Sequence, residues 1–399
     1  MGTVQTQAPS DTTLLRNYVG GAWRDAEAAD ALDVRDPATG ELIARAPLSG
    51  AADVDAAVRA AREALPGWRA TPPTQRARAL MALREALASH QDELARLVTR
   101  DMGKTHDDAF GEVGRGIESV EAAIGVPHLL KGENLEQVAR GVDVHLVRQP
   151  VGVVAAITPF NFPAMIPLWF LPYAIACGNT FILKPSEQDP TPSRRIMELV
   201  DAIDAIPPGV VNLVHGARDA VNGLLDHPEI DAISFVGQAS TALHVMDRGT
   251  RSGKRVQALG GAKNSMVVMD DADLSKAVPA MMQSAFGNAG QRCLAGSVAV
   301  VVGGVARRDR VRSVLADAAR ELPTGPGTDE SVICPPMVAA DARERVSGAV
   351  DRALDEGAEM VVDGRGTSND AGALMGPTIL AAADRESELA REELFGPVL

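Results

Sequence analysis

Cys293 closes the stretch Phe286-Gly287-Asn288-Ala289-Gly290-Gln291-Arg292-Cys293, between a helix-like apolar segment at 274–285 and a strand-like run at 297–302. A thiol on such a glycine-loosened loop can be bared to a substrate while both flanks stay packed, which is what a nucleophilic cysteine requires. The same residues also suit a half-buried structural thiol whose glycines only turn the chain. Asn161 lies in Thr158-Pro159-Phe160-Asn161-Phe162-Pro163. Flanked by aromatics and prolines, it is either a rigid, poorly solvated amide donor of the kind an oxyanion hole uses or an amide that ties down a loop. Lys184 and Glu187, in Lys184-Pro185-Ser186-Glu187, close a strand-like run, where they would hydrogen-bond a ribose or form a solvated loop pair. Gly237 ends a strand and opens a helix, so that free backbone N–H groups there could meet a pyrophosphate, although the pattern is not G-x-G-x-x-G.

Positioning these groups takes a scaffold, and its periods are readable. Short apolar pairs between turn signals at 17–47 read as hairpin-like strands. Val54, Val58, Ala61 and Leu65 then recur at helical spacing, with a candidate cap at Ser49 and an end at Pro66-Gly67. A second helix is expected from 73 to about 100, with Leu80, Leu83, Leu87, Leu94 and Leu97 on one face, and a third at 109–124. Residues 136–148 alternate as a half-exposed β-ribbon. Four β-rich runs follow, at 151–158, 180–184, 210–215 and 232–236, with helix-length segments at 194–206 and 220–226 among them. Strands alternating with crossover helices imply a parallel sheet of the dinucleotide-binding kind, with ligands at the strands' carboxyl ends. After a fifth run at 255–259 and strand 266–269, the chain alternates again: strand 297–302, helices 307–321 and 339–356, strand 358–362. Residues 1–13 read as a loosely attached tail.

With 399 residues, 46% hydrophobic and 23% charged, the chain has material for at least two cores, because single cores stop growing at about 250 to 300 residues. A net charge of -14 argues against nucleic acid or an anionic membrane surface as a partner. The three cysteines, Cys177, Cys293 and Cys334, fit a reducing compartment without a disulfide framework. Cys177 and Cys334 read as packing residues. No secretory signal is visible, and the most apolar stretch, 151–183, is broken by Pro159, Pro163, Pro167 and Pro172, so a cytoplasmic, membrane-free protein is expected. No metal site is expected.

Taken in order, the loop at 159–163, the loop at 184–187, Phe235-Val236-Gly237, Gly290-Gln291-Arg292-Cys293 and the segment 392–397 (Glu-Glu-Leu-Phe-Gly-Pro) resemble the aldehyde dehydrogenase superfamily from about Asn17 onward. Residues 159–169, 176–180, 253–257 and 262–264 are similar to its CoA-acylating, methylmalonate-semialdehyde dehydrogenase branch. The resemblance implies an α/β fold with a Rossmann-type NAD-binding domain (1–128 and 149–259), an oligomerisation β-ribbon (129–148) and an α/β catalytic domain (260–399). It implies that Cys293 attacks an aldehyde and that the Asn161 amide and the Cys293 N–H hold the oxyanion. NAD then takes a hydride and a thioester forms. Phe160, Lys184, Glu187, Gly237, Glu393 and Phe395 match cofactor-binding positions. Gln238 replaces the usual serine and Ala242 a usual glycine, departures that bear on cofactor affinity.

The next step turns on a missing carboxylate. Hydrolytic relatives place a glutamate base four residues before the lysine of Glu-Leu-Gly-Gly-Lys, and here that position is Leu259, or Ala258 if the Leu-Gly-Gly is aligned. Neither activates water. The thioester would therefore wait for a thiol such as CoA, although Leu259 also departs from the polar residue usual in that branch. Arg115 and Arg292 match arginines that would clamp the second carboxylate of malonate or methylmalonate semialdehyde. For Arg115, an ion pair with Glu112 or Glu118 is the competing assignment. Products would be acetyl-CoA or propionyl-CoA with loss of CO2. Family members continue well past Leu399, and the missing segment would supply the ribbon's partner strand. A shortened, inactive NAD-binding relative is thus an alternative, as is a hydrolytic aldehyde dehydrogenase; a homo-oligomer is expected if that segment is present.

Overall fold

The computed structural model describes residues 13–28, 30–381 and 384–399. The expected tail, apart from Thr13, lies outside the described residues. Two hairpins open the fold: β1 (Asn17–Val19) with β2 (Ala22–Arg24), and β3 (Ala31–Arg35) with β4 (Leu42–Pro47). Helices α1 (Ala51–Ala70), α2 (Pro73–Ser89), α3 (Gln91–Met102), α4 (His106–Ile124) and α5 (Val126–Leu129) lead to a ribbon of β5 (Glu133–Ala139) and β6 (Val142–Leu146). Then come β7 (Val153–Ile157), α6 (Met165–Ala176), β8 (Thr180–Lys184), α7 (Thr191–Asp201), β9 (Val211–Leu213), α8 (Arg218–Asp226), β10 (Ala232–Gly237), α9 (Ala239–Arg251) and β11 (Arg255–Gly260). The remainder holds β12 (Asn264–Val268), α10 (Leu274–Phe286), β13 (Gly296–Val301), α11 (Val305–Arg320), α12 (Ala340–Asp355), β14 (Glu359–Val362), β15 (Ile379–Ala381) and α13 (Glu388–Arg391).

The central sheet runs β11-β10-β7-β8-β9-β1-β2, with the first five strands parallel and the hairpin added antiparallel at one edge. Chain order reverses between β7 and β10, which opens a crevice at their carboxyl ends. The period of two explains both covered faces. Phe181 and Leu183 of β8 point into a core with α2, α3, α4, α6 and α7, while Ile182 and β7's Val153, Ala155 and Ile157 meet α1, α8 and α9. Beyond it, β12 pairs parallel with β13 over α10 and α11, and β14 pairs antiparallel with β15.

Four expectations change. Pro66 does not end α1; Trp68, 2% exposed, donates its indole N–H to the Ile175 carbonyl at 2.9 Å and packs the last turn onto the sheet domain. The N-cap is Gly50 rather than Ser49, whose hydroxyl instead accepts from the Asn17 amide at 2.9 Å. The long second helix is two helices, broken at His90, whose φ of -116° departs from helical geometry. The ribbon is exposed along its whole length rather than half-exposed.

Asp101, fully buried at the end of α3, accepts from the Thr191 N–H at 3.0 Å and so ties α3 to α7. Burial raises its carboxyl to about 6. A folded-state value above the unfolded one means that stability is fully present below about pH 4 and is lost as pH rises through about 6. Asp101→Asn keeps an acceptor for Thr191, so it is expected to stabilise the fold by about 2 kcal/mol at pH 8, a gain shrinking toward zero near pH 4. Urea midpoints across that range check this, and a pH-independent gain would contradict it.

Candidate active site

The thiol and the amide singled out from sequence meet. Asn161, on the loop after β7, brings Nδ2 to 3.6 Å from the Cys293 Sγ. The asparagine is 1% exposed and its Oδ1 has no hydrogen-bond partner among the described residues, so the side chain offers its donors to the sulfur side. Cys293 itself is half-buried. A preorganised, poorly solvated amide this close to a thiol is suited to stabilise negative charge that develops on an atom bonded to the sulfur-bearing carbon.

The turn that presents Cys293 is left-handed. Asn288 and Ala289 take φ values of 53° and 51°, and Gly290 takes 68°. For an alanine this costs about 1 kcal/mol or more, and all three residues are buried. The cost is offset by local bonds: Asn288 Nδ2 donates to the Gln291 carbonyl at 3.2 Å, and Gln291 Oε1 accepts from the Val338 N–H at 3.1 Å. Asn264, at the start of β12, donates Nδ2 to the carbonyls of Cys293 and Ala295 at 2.9 and 3.0 Å, pinning the other side. A β-carbon on Gly290 would collide with the Gly396 carbonyl. The cysteine turn and the Phe395-Gly396-Pro397 segment therefore touch through backbone. Gly290→Ala is expected to destabilise the fold by at least about 2 kcal/mol, from the φ penalty plus this clash, and to slow Cys293 alkylation by a substrate-sized reagent. Thermal melts and alkylation rates check both.

The remaining predicted groups line the crevice. Lys184 Nζ meets Glu187 Oε2 at 2.8 Å at the end of β8. Gly237 ends β10, and Gln238 caps α9 without a side-chain bond, leaving first-turn N–H groups for another acceptor. A β-carbon on Gly260 would stand 2.8 Å from both the Gly237 carbonyl and the Ala242 methyl, so glycine at 260 makes room for the alanine at 242. Phe160 and Phe395 pack edge to face with centroids 5.7 Å apart. Burial raises the Glu393 carboxyl above its ordinary range and lowers the neighbouring Lys263 ammonium, which donates to the Glu392 carbonyl at 2.8 Å.

Strand β11 decides between the two alignments of the missing base. Ala258 packs against the core shared with α1, α8 and α9, whereas Leu259 points to the opposite, open face and is 45% exposed. Leu259 is thus the position from which a side chain is free to act. The arginines do not form a pair. Arg292 is bound to Asp108 at 2.6 Å and donates to the Gln283 carbonyl at 3.2 Å. Arg115 is paired with Glu118 at 2.7 Å and largely exposed; Glu112, the other partner considered, is buried against Lys104. Lys104 and Glu112 hold the Asn161 loop from inside the core; sequence reading passes over Lys104, because a lysine after a helix-ending glycine carries no distinguishing pattern, and weighs Glu112 only as a partner of Arg115. Cys334 is fully buried and its thiol is pushed up to about 12, in keeping with packing.

A doubly covered sheet with a dinucleotide-type crossover, opening beside a thiol and an amide donor, defines a cysteine-dependent α/β oxidoreductase. The aldehyde dehydrogenase family model matches residues 23–399, and the chain belongs to that family. It is 46% identical over 391 residues to malonate-semialdehyde dehydrogenase 1 of Geobacillus kaustophilus (strain HTA426), covering 98% of this chain and 79% of that protein. Among solved structures it matches, with a TM-score of 0.94 and 41% identity, a Sinorhizobium meliloti 1021 protein crystallised with NAD and assigned as a methylmalonate-semialdehyde dehydrogenase, covering 98% of this chain and 80% of that one. It also matches the methylmalonate-semialdehyde dehydrogenase of Oceanimonas doudoroffii, with a TM-score of 0.93 and 42% identity over 97% of this chain and 79% of that one. The chain thus spans about four-fifths of these relatives.

Proposed function

We propose that this protein oxidises malonate or methylmalonate semialdehyde through a thioester on Cys293 and passes the acyl group to CoA, giving acetyl-CoA or propionyl-CoA with loss of CO2. The observation that carries the reading is the 3.6 Å approach of the Asn161 amide to Cys293, taken with a leucine rather than a carboxylate at the open position 259 of β11. The Cys293 thiolate adds to the aldehyde carbon, and Asn161 Nδ2 with the Cys293 N–H holds the oxyanion. Bound NAD supplies the acceptor for the hydride that leaves that carbon. The crevice fits it: Glu187 beside Lys184 suits a ribose diol, the uncapped start of α9 suits a pyrophosphate, and Phe160, Glu393 and Phe395 suit the nicotinamide end.

When the oxyanion collapses, the carbonyl re-forms as a thioester. Its carbonyl can accept the electron pair released as the substrate's carboxylate leaves as CO2, again with Asn161 facing the oxygen, and the enolate so formed takes a proton from water at its α-carbon to give the acetyl or propionyl thioester. CoA thiolate then adds, and Cys293 departs as thiolate. Arg115 lies seven residues along α4 from Asp108, on the same stripe and about 10 Å away along the axis, so it and the Asp108-bound Arg292 face the same side, where a substrate carboxylate would be read. The ribbon, with Leu135, Val138, Val142, Val144 and Leu146 exposed, suits pairing with a second copy. No helix among the described residues is long and apolar enough to cross a membrane, and the three free thiols suit a cytoplasmic setting.

Product analysis tests the reading. With NAD and CoA, mass spectrometry is expected to find acetyl-CoA from malonate semialdehyde and propionyl-CoA from methylmalonate semialdehyde, each formed at least about tenfold faster than the acyl-CoA from propanal. Free acid as the main product, at a rate indifferent to CoA, would assign a hydrolytic enzyme instead.

A further inference from the structure

The amide of Asn161 is held by no bond of its own oxygen, since Oδ1 lacks a partner among the described residues. Its aim at Cys293 therefore depends on where the backbone of residue 161 is placed. That backbone is fastened from inside the core by an ion pair. Lys104 Nζ donates to the Asn161 carbonyl at 2.6 Å and to Glu112 Oε2 at 2.6 Å, and sits 4.2 Å over the Phe162 ring. Glu112 Oε1 accepts from the N–H groups of Ala164 and Met165 at 2.9 and 3.1 Å. The Pro163 carbonyl accepts from Ser193 Oγ at 3.0 Å, and the Phe162 carbonyl from the Ile166 N–H at 3.1 Å. The two charged side chains are 1% and 0% exposed.

Burying a lysine and a glutamate is costly, and well-packed apolar residues of similar volume often serve stability as well or better. What an apolar pair cannot do is fix the Asn161 carbonyl and the two N–H groups of Ala164 and Met165 that follow it with short, charge-assisted bonds. We propose that Lys104 and Glu112 are positioning residues for acylation: they set the oxyanion-holding amide of Asn161 against Cys293. This rests on the reading of Asn161 and Cys293 given above. Neither side chain touches the sulfur, so the effect passes wholly through the 161–165 backbone.

The test is a double-mutant cycle read in the pre-steady-state burst of NADH, with NAD affinity followed by fluorescence. Lys104→Met is expected to slow the burst about 10- to 100-fold in the native background and less than about threefold in the Asn161→Ala background, with NAD affinity within about twofold of the native protein. Because Lys104→Met strands a buried carboxylate and can unfold the protein, the paired variant Lys104→Met/Glu112→Gln is measured beside it. Gln keeps an acceptor for Ala164 and Met165 while removing the charge. That pair is expected to melt close to the native temperature yet keep the slow burst, since the Asn161 carbonyl still lacks its donor. Equal losses in both backgrounds, or recovery of the burst together with the melting temperature, would assign the ion pair to stability alone. If Asn161→Ala itself leaves the burst unchanged, the fault lies in the reading of Asn161, and the positioning role falls with it.

Discussion

Cys293→Ala is expected to lower NADH formation by at least about 10⁴-fold, the scale on which removal of a covalent nucleophile acts. NAD affinity should stay within about twofold, because the crevice proposed for NAD around Lys184, Glu187 and Gly237 lies on other elements. The size of the effect follows from the chemistry. Without sulfur there is no tetrahedral adduct to shed a hydride and no acyl group for CoA to collect. Stopped-flow absorbance gives the rate, and fluorescence titration the affinity. Turnover that survives the substitution would move the nucleophile elsewhere; Cys177 and Cys334 are poor replacements, since burial raises both thiols.

The second large effect is expected at Asn161. Asn161→Ala removes a side-chain donor from a site where charge develops, and such donors are worth about 10² to 10³ in rate. The loss should fall on the acylation burst rather than on KM for NAD, because in the proposed reading the amide acts on the oxyanion and not on the cofactor. Asn161→Asp should be at least as damaging: its carboxylate would sit 3.6 Å from the sulfur position and oppose both thiolate and oxyanion. A burst slowed less than about tenfold by either change would mean that the backbone N–H of Cys293 or another donor carries the oxyanion.

The dinucleotide-type sheet was legible because its strands are apolar runs of five or so residues spaced by helix-length segments, and parallel strands covered on both faces carry that pattern. The candidate site was legible where chemistry demands unusual residues in succession, as in the prolines around Asn161 and the glycines before Cys293. The rest depended on contacts far apart in sequence. That β1 joins the sheet edge beside β9 rests on Tyr18 opposite Leu213 and on the Asn17 side-chain Oδ1 accepting from the His215 N–H at 2.8 Å, neither of which leaves a local trace. The left-handed turn at Ala289 runs against alanine's own preference and is imposed by packing. The Arg292 pairing with Asp108 spans 184 residues, and an arginine beside the nucleophile reads equally as clamp or tether until α4 is placed. The choice between Ala258 and Leu259 likewise required the register of β11, which turns one side chain inward and the other out.

The central claim is that the thioester on Cys293 is discharged by CoA, position 259 of β11 holding a leucine rather than a carboxylate that could activate water. Mixing the protein with NAD and malonate semialdehyde in the absence of CoA, then adding CoA, tests this most directly. The account predicts a burst of about one NADH per active site, a plateau, and sustained turnover only after CoA is added. Linear NADH formation without CoA, at the rate seen with it, would contradict it.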